Sequence, residues 1–165
     1  FASRQTRYMN SEAKILSGIA GEYFVAGELS RRGYIASITL RNTAHIDLLA
    51  SNGKKAINIQ VKTRRTDKAK GWELGSKPLE YNKSKGDIFY VLVEIHSDPN
   101  NKEVGYYIIP KNTLNEHVEK GHLYWLQGKN KITGRERKSK RRYFRKEEHP
   151  ALNIEKYKDN WDILF

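Results

Sequence analysis

Cysteine is absent from this chain of 165 residues, which excludes a disulfide framework and a thiolate metal centre. Histidines 45, 96, 117, 122 and 149 lack the paired spacing of a structural zinc site. Proline is scarce, at four residues, and no linker or internal repeat divides the chain. No stretch approaches the roughly 18 consecutive apolar residues of a membrane span, and the amino terminus carries no secretory pattern. The chain begins at Phe1 rather than Met. The expectation is a soluble protein of the cytoplasm or nucleoid, with an organellar location left open. Negative charge is also in short supply. Against 19 acidic side chains stand 31 lysines and arginines, a formal charge of +12. That exceeds what solubility needs and attracts polyanions, nucleic acid first and acidic membrane second.

What is present reads as one domain. Hydrophobic residues make up 38% of the chain, enough for a real core at this length. A helical period runs over 10–32, with Ile15, Ile19, Ala26 and Leu29 on one stripe, widened by Leu16 and Ala20. Asn10 or Ser11 is placed to cap it and Gly33 to end it. Glu22 falls on the same stripe, an odd place for a carboxylate. Gly18 and Gly21 permit close approach of another element. Strands are expected at 34–40, 46–50 and 55–63, the last two flanking Asn52-Gly53, a strong hairpin signal. Residues 64–86 read as loop. "DIFYVLVEI" (87–95) reads as a strand covered on both faces, and 103–110 as its neighbour. A short helix is expected at 112–121, then a small strand at 123–127. The whole is a mixed α/β domain.

The polar residues of the hairpin raise the functional question. Asn58, Gln60 and Lys62 share one face of their strand. With a turn symmetric about residues 52 and 53, Asp47 lies opposite Asn58 and diagonal to Gln60. Asp47, the Gln60 carbonyl, water and Glu22 make an oxygen-rich set suited to a hard cation such as Mg²⁺. Lys62 brings positive charge beside it, the equipment of phosphoryl transfer.

Asp47 in "HIDLLA", a gap of 12 residues across an Asn-Gly turn, then Gln60-Val61-Lys62 in "IQVKT", with Glu22 on a preceding helix, resembles the PD-(D/E)xK nuclease superfamily. Ile46 replaces the motif's proline, and Gln60 its second acid, as in the QxK variants. The resemblance spans about residues 12–110 of a single domain, 1–165, with 111–165 as basic decoration. It implies a restriction-endonuclease-like α/β/α core with a mixed β-sheet and Mg²⁺-dependent hydrolysis of DNA, with Mn²⁺ able to substitute. Asp47 and Gln60 would bind the metal, Glu22 would assist directly or through water, and Lys62 would act on the attacking water or the transition-state charge. A sequence-specific enzyme of restriction or homing type is expected, working on double-stranded DNA as a homodimer or tetramer. The alternatives are a junction resolvase, or an inactive DNA-binding module marked by Gln60.

Other residues are candidates for DNA contact. His45 precedes Asp47 by two, and Thr63 and Arg64 follow Lys62. The run "RERKSKRRYFRK" (135–146) holds eight basic residues against one acid, with Tyr143 and Phe144 between them. Lys138, Lys140, Arg141, Arg142 and Arg145 are expected to position phosphates rather than read bases. A membrane-surface protein would need a long helix with one basic and one apolar face, which this run does not show.

Overall fold

The computed structural model describes residues 2–40, 46–76, 88–146 and 152–165, with side chains from residue 11 onward. Helix α1 (Ala2–Arg31) leads into β1 (Ile35–Ile38), β2 (Leu48–Ser51) and β3 (Ala56–Arg65). Then come β4 (Trp72–Gly75), β5 (Ile88–Ile95), β6 (Gly105–Pro110), α2 (Lys111–Leu126) and β7 (Arg142–Phe144). Two 3₁₀ turns, Ile154–Tyr157 and Trp161–Leu164, complete the order. Five strands form one sheet in the order β1-β2-β3-β5-β6, and β4 pairs with β7 in a second, small one. Within the large sheet β3 and β5 run parallel and every other pair is antiparallel. Among the described residues no helix is long and apolar enough to cross a membrane.

Period-two alternation in β5 explains the layering. Phe89, Val91 and Val93 face one side, with Val25 and Leu29 of α1, Leu48, Ile57, Ile59 and Trp161. Tyr90 and Leu92 face the other, with Leu114 and Val118 of α2, Trp72 and Phe144. Each fully buried aliphatic side chain contributes about 1.5–3 kcal/mol. The mixed sheet between two helical layers is the expected α/β/α architecture.

The helices depart from the sequence expectation. α1 starts at Ala2, so Asn10 and Ser11 lie inside it rather than capping it. Its buried seam is Ser17, Gly21, Val25 and Leu29, while Ile15 and Leu16 are 52% and 63% exposed. The first half of the seam is small, Ser17 and Gly21, because there the helix lies very close to β3. A Cβ at Gly21 would come within 1.9 Å of Thr63 Oγ1, whereas one at Gly18 would meet nothing. One turn earlier, Arg65 donates to Ser17 Oγ at 2.7 Å and to the Ala13 carbonyl at 2.9 Å. Gly33 does end the helix, with φ of 85°. Its N–H reaches the Ser30 carbonyl and that of Tyr34 the Leu29 carbonyl, a Schellman arrangement.

α2 begins directly after β6, with Pro110 rather than Asn112 or Thr113 at its N-cap. It continues to Leu126, so residues 123–127 hold no strand. Gly121 is buried within the helix and does not end it. The expected loop 64–86 contains β4, whose Trp72 is fully buried and donates to the Val93 carbonyl at 2.9 Å.

Candidate active site

β2 and β3 pair from Ser51↔Ala56 to Leu48↔Ile59, leaving a four-residue turn, 52–55. Its geometry is set by Asn52, whose Oδ1 accepts the Lys54 and Lys55 N–H groups at 3.0 and 2.8 Å. The register therefore places Leu49, not Asp47, opposite Asn58. The sequence reading centred the turn too early, and the correction moves Asp47 past Asn58 to the level of Ile59.

β3 continues beside β5 through Arg65. Among the described residues no strand pairs with its other edge beyond Ile59. Asp47 stands where the strands part. Its N–H donates to the Ile59 carbonyl at 2.9 Å, so Asp47 and Leu48 face one residue, the two-against-one count of a β-bulge. Its Oδ2 accepts the Val61 N–H at 2.7 Å. The carboxylate thus replaces a backbone carbonyl on the open edge and is held there by a charge-assisted bond. Thr39 fixes the approach: its Oγ1 donates to the Ile46 carbonyl at 2.6 Å, and its N–H to the Asp47 carbonyl at 2.9 Å.

Gln60 is 8% exposed, and its Oε1 is buried with no hydrogen-bond partner. An orphaned buried oxygen costs about 1–3 kcal/mol, so it asks for a missing partner. A hard cation would be such a partner, and so would a water. Lys62 lies two residues on, half-buried, and among the described residues none forms an ion pair with it. Tyr90 pairs with Gln60 across the parallel ladder. Burial, and then the charge of Asp47, push its hydroxyl up to about 12, so it stays neutral. This tyrosine escaped the sequence reading because it lies inside an apolar run. Only its register with Gln60 reveals it.

Glu22 is half-buried on α1, one residue past the Gly21–Thr63 contact, and interacts within the protein. Arg31 and Arg32, further along the helix, both pair with Glu28. Among the described residues no three Asp, Glu or His side chains converge as a metal cage. The oxygens at the β3 edge are those of Asp47 and Gln60, whereas Glu22 lies on α1, which packs against the opposite, Val61 and Thr63 face of the strand. His45 lies outside the described residues.

Arg64 faces inward. It pairs with Glu94, donates to the Ala69 carbonyl at 3.2 Å and stacks over Trp72 at 4.2 Å. Lys138, Lys140 and Arg141 are exposed on the segment before β7. Arg142 reaches the Ser76 carbonyl at 3.5 Å, and Arg145 lies over the Tyr143 ring at 5.1 Å.

No family model and no curated protein matches the chain. Among solved structures it is similar to a bacterial homing endonuclease, I-Ssp6803I, with a TM-score of 0.50 and 12% sequence identity. The likeness is one of fold. It covers 90% of this chain and 88% of that one, so it reaches well beyond residues 12–110.

Proposed function

We propose that the chain is a metal-dependent DNA endonuclease. The observations that support this reading are the Asp47 carboxylate held on the Val61 N–H at the open edge of β3 and the orphaned oxygen of the neighbouring Gln60, two residues from Lys62. In this reading Asp47 and Gln60 hold Mg²⁺, or Mn²⁺ in its place. The metal supplies Lewis acidity toward the phosphate and acidifies a bound water. The chain's own part is positional. The Val61 N–H fixes one Asp47 oxygen and leaves the other to face the cation. The Lys62 ammonium orients the attacking water or balances the charge that develops on phosphorus. The charge of +12 draws DNA to the surface, with Lys138, Lys140 and Arg141 free of the core.

The fold shared with a homing endonuclease favours the sequence-specific kind of enzyme over a junction resolvase. Gln60, a neutral oxygen where an acid is usual, favours one rival, an inactive binding module of the same fold. Cleaving both strands requires two sites, and the apolar face of α1 offers a surface for a second copy.

The test is cleavage of supercoiled plasmid and of branched DNA with Mg²⁺ or Mn²⁺, comparing wild type, Lys62→Ala and Gln60→Glu. Plasmids carrying diverse sequence guard against a rare target. Metal-dependent cutting that Lys62→Ala abolishes is the expected result. Salt-sensitive binding without cutting, with activity appearing in Gln60→Glu, would establish the binding module.

A further inference from the structure

A shallow pocket of about 70 Å³, open to solvent, lies between the end of α2 and β7, lined by His122, Trp125, Ser139, Arg141, Tyr143 and Arg145. Its walls combine flat rings with guanidinium groups. His122 stacks on Trp125 with centroids 5.8 Å apart, and Arg137 covers that indole at 4.9 Å while donating to the Trp125 carbonyl at 2.9 Å. The indole is thereby held in one orientation. Opposite it, Arg145 lies over the Tyr143 ring. Among the described residues one carboxylate is near: Glu73, which pairs with Lys14 and lies 3.9 Å from Arg141.

We propose that this pocket binds one unpaired nucleotide of a DNA strand, its phosphate on Arg141 and Arg145 and its base against Trp125. A phosphate in an intact duplex would call for the arginines alone. The half-exposed indole offers a flat surface to a ligand with a π-face, and a paired base hides both of its faces in the stack. The pocket deepens the nucleic-acid reading given above, on which it rests, but it does not depend on the cleavage chemistry at Asp47 and Gln60.

The whole chain, metal-free, is titrated with dAMP and separately with inorganic phosphate, and tryptophan emission is followed. Trp72 and Trp161 are buried at 0% and 1% exposure, so the half-exposed Trp125 reports. The expected result is saturable quenching by dAMP at a Kd about tenfold below that of phosphate. Calorimetry should show about tenfold weaker dAMP binding for both Arg141→Gln, at an exposed side chain that leaves the fold intact, and Trp125→Leu. A duplex with one unpaired nucleotide should bind several-fold more tightly than its fully paired counterpart. Equal affinity for dAMP and phosphate, no dAMP binding, or dAMP binding unchanged in both variants overturns the proposal. Absence of plasmid cleavage alongside intact dAMP binding counts against the nuclease reading alone.

Discussion

Lys62 and Arg64 are two residues apart on one face of β3, yet their surroundings give them different work. The Arg64 guanidinium is held by Glu94, the Ala69 carbonyl and the Trp72 ring. Removing it leaves Glu94 largely buried with Lys146 and the Tyr107 hydroxyl as its partners among the described residues. Arg64→Ala is expected to lower stability by about 2–4 kcal/mol in a denaturant titration while DNA affinity at low salt stays nearly constant. Lys62→Ala should do the reverse, costing under about 1 kcal/mol of stability but at least about a hundredfold in cleavage rate. The Glu94 carboxyl gives this contrast a pH signature. Burial raises its pKa, but hydrogen bonding and charge from Arg64, then Lys146, outweigh burial and leave it below the ordinary 4.5. A carboxylate whose folded pKa is depressed contributes stability that is complete above the unfolded value and lost as pH falls through the folded one. Thermal melts from pH 6 to about pH 3 should therefore show wild type losing stability below about 4.5, and Glu94→Gln losing less across the same window.

The same separation of appearances from packing operates at the level of elements. Gly21→Ala should destabilise by about 1–3 kcal/mol, because its Cβ meets Thr63 Oγ1 and α1 must lift from β3. Gly18→Ala meets nothing and should raise the melting temperature, by up to about 1 kcal/mol of helix propensity. Adding Thr63→Ala to Gly21→Ala should recover part of the loss; no recovery would show that the contact is not the cause. These glycines show what the sequence makes legible. It marks Gly21 as a site of close approach, but an apolar period weights large residues, so it drew the buried stripe through Ile15 and Ile19. The first half of the true seam is made of small residues, Ser17 and Gly21, which carry no such signal, while Leu29 at its far end was on the expected stripe. β5 was readable because its continuous apolar run has one physical meaning, cover on both faces. Residues 123–127 were misread because Leu, Tyr and Trp suit strands as well, and only the tertiary packing of α2 decides between them. Asp47, Gln60 and Lys62 were legible as a group from spacing alone. The bulge that aims Asp47 at Val61 was not, because it depends on a register shifted by a four-residue turn.

At the scale of the molecule, α1 is apolar on two sides. Its buried seam faces the sheet, while Leu16 and Tyr23, 63% and 66% exposed, lie on the opposite side with Ile15 and Phe24 beside them. A helix with apolar residues all round is normally covered all round. On a chain with a net charge of +12, an uncharged patch is also where two copies repel least. If a second copy covers this face, Leu16→Glu with Tyr23→Glu should shift sedimentation to the monomer and leave the melting temperature nearly unchanged, since neither side chain contributes to the core. The two-strand cut should then separate into single-strand cuts. Wild type is expected to convert supercoiled plasmid to linear product without delay, the variant to accumulate nicked circles before any linear form. A variant that stays assembled and still linearises plasmid would place the contact between copies on another surface.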